Sequence, residues 1–125
     1  MTAAALDRAK ELQDRSQQFA LRVVRMFRAL PRADEARILG KQVLRSGTSV
    51  AANYRAACRA RSRAEFAAKI GVVVEEADET VFWLELLVEA GIVPASKMTE
   101  LLAEANELLA IFSASQRTAR SSRPR

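Results

Sequence analysis

Arg45, Ser49 and Asn53 recur at four-residue steps in "LRSGTSVAANYRAACRARSRAEF", residues 44–66. Such steps place a guanidinium, a hydroxyl and a carboxamide on one side of a helix, where they can clamp carboxylates or line a polar pocket. Glu75, Glu76 and Glu79 stand at compatible depth on the next helix if the two form an antiparallel hairpin. The expectation is a polar layer of Arg45, Ser49, Asn53, Glu75, Glu76 and Glu79, with Arg45 and Asn53 hydrogen-bonded by one or more of the carboxylates. Its expected role is structural, because buried polar layers can fix helix register and oligomer state at some cost in stability. A functional pocket at the same place is the alternative.

The run "RAACRARSR" offers different chemistry. Arg55, Arg59 and Arg63 follow one another at spacing four, with Arg61 beside them near the corner between the second and third helices. Arginines grouped this way can contact phosphates and supply salt-sensitive affinity without reading a sequence. No aromatic residue interleaves with them, and a merely solvated face is the competing reading.

Catalytic readings find little support. The chain has no His and one cysteine, Cys58, so it lacks both a His-containing metal site and an intrachain disulfide. Glu75 and Glu79 superficially match the carboxylate spacing of di-metal bundles, but those sites also require histidine ligands from other helices. Ser49 has no recognisable base, and Gly47 is isolated rather than part of a glycine-rich phosphate loop. The reading is a non-enzyme with no cofactor, no metal and no small-molecule substrate.

Charge is segregated along the chain. Residues 37–69 carry a net +7 and residues 70–116 a net −8, within an overall +5. A basic helix beside an acidic one, neutralising each other within or between subunits, is the preferred explanation, and an electrostatic footprint for nucleic acid is the alternative. No window has the roughly 18 uninterrupted apolar residues of a membrane span, and the N-terminus has no signal-peptide core, so a cytoplasmic protein without membrane contact is expected.

These groups must be held by helices. Half of the 125 residues are hydrophobic, while glycine (4) and proline (3) are scarce, which argues for an all-α domain with a real core. Apolar spacing predicts helix one over 4–30, ended by Pro31, and helix two from an Asp34 N-cap to about 60. "SRAE", residues 62–65, has capping-box spacing, with Glu65 expected to reach back to the Ser62 amide. Helix three then runs to Gly91 and Pro94, and helix four spans about 96–113. Short connections favour an antiparallel up-down-up-down four-helix bundle over residues 1–116, followed by a disordered basic tail, residues 117–125.

Helix three is apolar on more than one side. Besides its inward stripe it carries Val72, Val74, Val81, Phe82, Trp83, Leu86 and Leu87. Left in water, these would form a patch larger than monomers usually carry. Self-association is expected, with Val74, Val81, Phe82, Trp83 and Leu86 at the oligomer interface; a monomer whose own helices cover the wide face is the alternative.

The quoted segments also resemble a known family, the small bacterial four helix bundle proteins described as ribosomal-RNA intervening-sequence proteins. The likeness rests on "LRSGTSVAANY" (44–54), "RSRAEF" (61–66) and "EEADETVFWLELL" (75–87), and with the helix lengths it covers about residues 15–112. It implies an antiparallel four-helix bundle assembled as a homo-oligomer, a pentameric ring being the closest precedent, with Arg45, Ser49, Asn53, Glu65 and Glu79 as pattern residues. It implies no catalysis. The family usually has Glu three residues after the Asn, where this chain has Ala56. The resulting expectation is a non-enzymatic, homo-oligomeric interaction protein with RNA or DNA as partner, the alternative being a protein-binding scaffold without a nucleic-acid role.

Overall fold

The computed structural model describes residues 2–121. Four helices make up the architecture: α1 (Ala3–Ala29), α2 (Asp34–Cys58), α3 (Arg63–Glu89) and α4 (Ala95–Ser121). No strand occurs among the described residues. α1 packs on α2, α2 on α3 and α3 on α4, and α1 meets α4 over a smaller contact.

The helix ends have local causes. The Thr2 hydroxyl accepts from the Ala5 amide (3.1 Å) and satisfies one of the free amides that begin α1. Leu30 leaves the helix in extended conformation before Pro31, as the proline ring requires of the residue ahead of it. α2 departs from expectation at its start: Asp34 is the first helical residue, its cap position is Ala33, and no side chain caps it. Asp34 and Glu35 instead place negative charge in the first turn, where the helix dipole favours it. At α3 the Ser62 hydroxyl takes the Glu65 amide (3.1 Å), as capping-box spacing predicts, while the Glu65 carboxylate accepts from the Arg61 amide (3.4 Å). Gly91 closes α3 at φ 73°, a left-handed conformation that costs a glycine nothing.

The core is one layer of interdigitated side chains. Phe19 and Val23 of α1, Val43 and Val50 of α2, Ile70, Val73, Leu84 and Leu87 of α3, and Met98, Leu108 and Phe112 of α4 are all buried. Tyr54 is buried against Phe112, ring centroids 4.9 Å apart. The small residues in the middle of α2 serve this packing. A Cβ added at Gly47 would lie 3.0 Å from a Val23 methyl, so the hydrogen in that position allows α1 to approach closely.

Two expectations change. Residues 117–121, read from composition as disordered, continue α4 to Ser121, and 122–125 lie outside the described residues. The tail's scarcity of apolar residues is no obstacle, because a helix already held by packed turns adds each further residue without a new nucleation cost. On α3, Val81 and Leu87 are buried within the chain, and Val74 and Trp83 pack partly against its core. Leu86 is half-buried, which leaves Phe82 (54% exposed) and Val72 (38%) as the large apolar groups of α3 that face outward. The wide apolar face is therefore mostly covered by the chain's own helices, and Val81, 8% exposed, has little surface to offer a neighbour.

Candidate functional site

Arg45 reaches across from α2 to α3. Its guanidinium donates to Glu76 (3.2 Å) and to Glu79, with half of the Arg45 side chain still exposed. The bond to Glu79 and the field of both carboxylates hold the guanidinium charged even more firmly than usual. Asn53 does not join them. Its amide donates to the Ser49 carbonyl (2.9 Å) and hydroxyl (2.8 Å) one turn back on its own helix. Arginine is long enough to cross to the neighbouring helix, whereas the short asparagine finds its acceptors locally. Glu75 is exposed, away from the clamp.

The fully buried polar contact lies one residue inward. Ser46 and Thr80 have no exposed surface, and the Thr80 hydroxyl bonds the Ser46 hydroxyl at 2.9 Å. Ser46 donates to the Gln42 carbonyl (2.9 Å), and the single Thr80 proton is shared between the Ser46 hydroxyl and the Glu76 carbonyl (2.7 Å). Each hydroxyl thus has an acceptor on its own helix, which keeps the burial of both inexpensive where α2 meets α3. Sequence pattern alone did not separate Ser46 from Ser49, since both sit in the same small-residue run.

A second cross-helix clamp had no local signal. Arg15 of α1 donates in fork geometry to both Glu104 oxygens (2.8 and 2.7 Å) and pairs with Glu107 (2.7 Å), 89 and 92 positions away. The Arg15 hydrogen bonds hold the Glu104 carboxyl below the usual carboxylate range, against the opposing effect of burial. Nearby, Cys58 is half-buried, and burial pushes its thiol up despite hydrogen bonding with Tyr54 and Gln13. That shift removes thiolate and with it nucleophilic character. Among the described residues no group of three or more metal-capable side chains forms, and no helix is long and apolar enough to cross a membrane.

The basic corner is a concave, charged surface that two elements build together. The end of α2 and the start of α3 enclose an open depression of about 450 Å³, lined by Arg55, Arg59, Arg61 and Lys69 together with Glu65, Ala52 and Ala56. Arg55, Arg59, Arg61 and Arg63 are all exposed, and Arg63 opens α3 beside the depression without being part of its lining. Lys69 lies about one turn along α3 from Glu65, and only the α2–α3 pairing sets it beside Arg55 and Arg59. The extended α4 runs toward the same end: a Cβ at Gly71 would lie 3.3 Å from Gln116, and the exposed Arg117 and Arg120 follow it toward the start of α3.

Residues 8–114 match the profile of the 23S rRNA-intervening sequence protein. The chain belongs to that family. A solved structure from Bacteroides thetaiotaomicron, described as a protein of unknown function from the S23 ribosomal protein family, superposes with a TM-score of 0.81 at 32% identity, covering 87% of this chain and 97% of that one. No curated protein matches the chain. This member of the 23S rRNA-intervening sequence protein family thus has the family's four-helix core, and its clamps and basic corner lie within or beside the matched span.

Proposed function

We propose that the protein is a non-enzymatic, cytoplasmic interaction module that self-associates and holds RNA or DNA at its basic end. The carrying observation is convergence: Arg55, Arg59, Arg61 and Lys69 line one open depression, and α4 brings Arg117 and Arg120 to the same end of the molecule. Phosphate contacts from such a set give affinity that falls steeply with salt.

The topology proposed is an antiparallel up-down-up-down bundle. Support comes from the order of contacts: Gly40 faces Phe27 and Leu30 while Gly47 faces Val23, so residue numbers rise on α2 as they fall on α1. The Ser46–Thr80 bond and the shared lining of Arg55 with Lys69 run in the same sense for α2 and α3. Exposed Phe82 and Val72 support assembly of copies through α3, with a five-membered ring the arrangement favoured by the family resemblance.

A titration of the purified chain with a fluorescent structured RNA and a duplex DNA, from about 25 to 200 mM salt, tests the binding. Expected is affinity at low salt that declines linearly on a log–log plot; no binding at the lowest salt would turn the reading to a scaffold whose charges are matched between subunits. Sedimentation velocity tests the assembly: a multiple of the 13.8 kDa chain is expected, reduced by Phe82→Lys, and a single-chain mass for the parent protein would refute it.

A further inference from the structure

Resting on the nucleic-acid reading above, we infer that the basic depression is built for the paired phosphate backbones of a double helix and discriminates against single strands. Proteins that hold single strands combine a cationic track with aromatic rings on which unpaired bases stack, a contribution of about 1–3 kcal/mol per base. Among the described residues this end of the molecule offers no freely exposed ring. Tyr54, next to Arg55 in sequence, is only 4% exposed and spends its face on Phe112, and Phe66, on the first turn of α3, is half-buried with its packed side against the core. The one strongly exposed ring, Phe82, stands 13 residues along α3 from Lys69, roughly 20 Å away at the helical rise.

Between the cations the lining adds only the methyl groups of Ala52 and Ala56, and no carboxamide that could pair with adenine. What remains is an array of point donors on the ends of two packed helices. A rigid duplex meets such an array without ordering itself first, whereas a flexible strand loses conformational entropy and receives no stacking in return. Electrostatics act in the same direction, because a duplex carries one charge per about 1.7 Å and releases about 0.9 counterion per contact, against about 0.7 for single strands. Because phosphates are common to both, duplex RNA and duplex DNA each bind.

The test is fluorescence anisotropy of the full chain with three labelled probes of about 20 residues per strand: duplex RNA, duplex DNA and an unstructured polypyrimidine strand. Expected at about 50 mM salt is binding of both duplexes at least roughly tenfold tighter than the single strand, with Arg59→Ala and Lys69→Ala each lowering the salt slope by about 1 on both duplexes. Equal or tighter binding of the single strand overturns the duplex inference while leaving nucleic-acid binding intact. Binding of no probe removes both.

Discussion

Arginine does two different jobs in this molecule. At the α1–α4 contact, Arg15 is drawn into a forked pair with Glu104 and a second contact to Glu107, and both forked partners are largely withdrawn from water. At the α2–α3 corner, Arg55, Arg59 and Arg61 are exposed and have no ion-pair partner among the described residues. The side chain is the same; the supply of carboxylates differs. Eight of the nine acids between residues 70 and 116 lie at or beyond Glu76, away from the corner, where Glu65 is the carboxylate that lines the depression among the described residues. Arginines within reach of that acidic stretch become braces, and those beyond it keep their binding capacity.

The comparison is most severely tested by removing the free set. Arg55→Ala, Arg59→Ala and Lys69→Ala together are expected to lower duplex affinity by about a hundredfold at 100 mM salt, because three phosphate contacts are lost. Thermal unfolding should scarcely move, since the two exposed arginines and the half-buried Lys69 make no ion pair among the described residues. A large drop in melting temperature would show that the corner is structural after all.

Arg15→Met is the converse change. It leaves Glu104 with 18% of its side chain exposed and no guanidinium to satisfy it, at a cost of about 1–2 kcal/mol by denaturant titration, with duplex affinity unchanged. The same clamp should weaken in acid. Because Arg15 depresses the folded-state value of Glu104, the stabilisation is complete above the ordinary carboxylate range and is lost as pH falls through that range toward the lowered value. The acid limb of a stability–pH curve should therefore be shallower in Arg15→Met than in the parent chain. Arg45→Ala is expected to cost less than about 1 kcal/mol, since half of that side chain is in water.

The four helices were legible in the sequence because each has a long apolar period and a clear stop at Pro31, at the Ser62 cap or at Gly91. α4 was the exception: "SASQRTARSS" has no apolar stripe, so pattern alone ended the helix at 113, whereas the packed turns before it carry the backbone to Ser121. Within the site, Arg45 with Glu76 and Glu79 was legible, since spacing and charge both pointed to the pairing. Asn53 was assigned the same partners and instead uses its own helix, a choice set by side-chain length that spacing does not encode. The burial of Val81 and Leu87 was hidden for a related reason: a helix flanked by two neighbours buries a wider arc than one stripe, and the sequence of α3 does not say how wide. Arg15 with Glu104 could not be found from local pattern, since nothing marks residues 89 apart as neighbours.

Glu65 sharpens the contrast between the two regions from the other side, because it is the single acid placed among the free cations. Its carboxylate borders the depression and accepts from the Arg61 amide at 3.4 Å. Glu65→Gln keeps an acceptor for that amide, and glutamine is as suitable as glutamate at this position of a helix start, so α3 should begin unchanged. What disappears is one negative charge beside the incoming phosphate. At a separation on the order of 7 Å in water, that repulsion is about 0.6 kcal/mol, so binding should tighten by about threefold at low salt. The gain should fade toward about 200 mM, where a Debye length near 7 Å screens the pair. Weaker binding by Glu65→Gln would mean that the carboxylate organises the surrounding cations rather than opposing the ligand, and the corner would then belong with the braces.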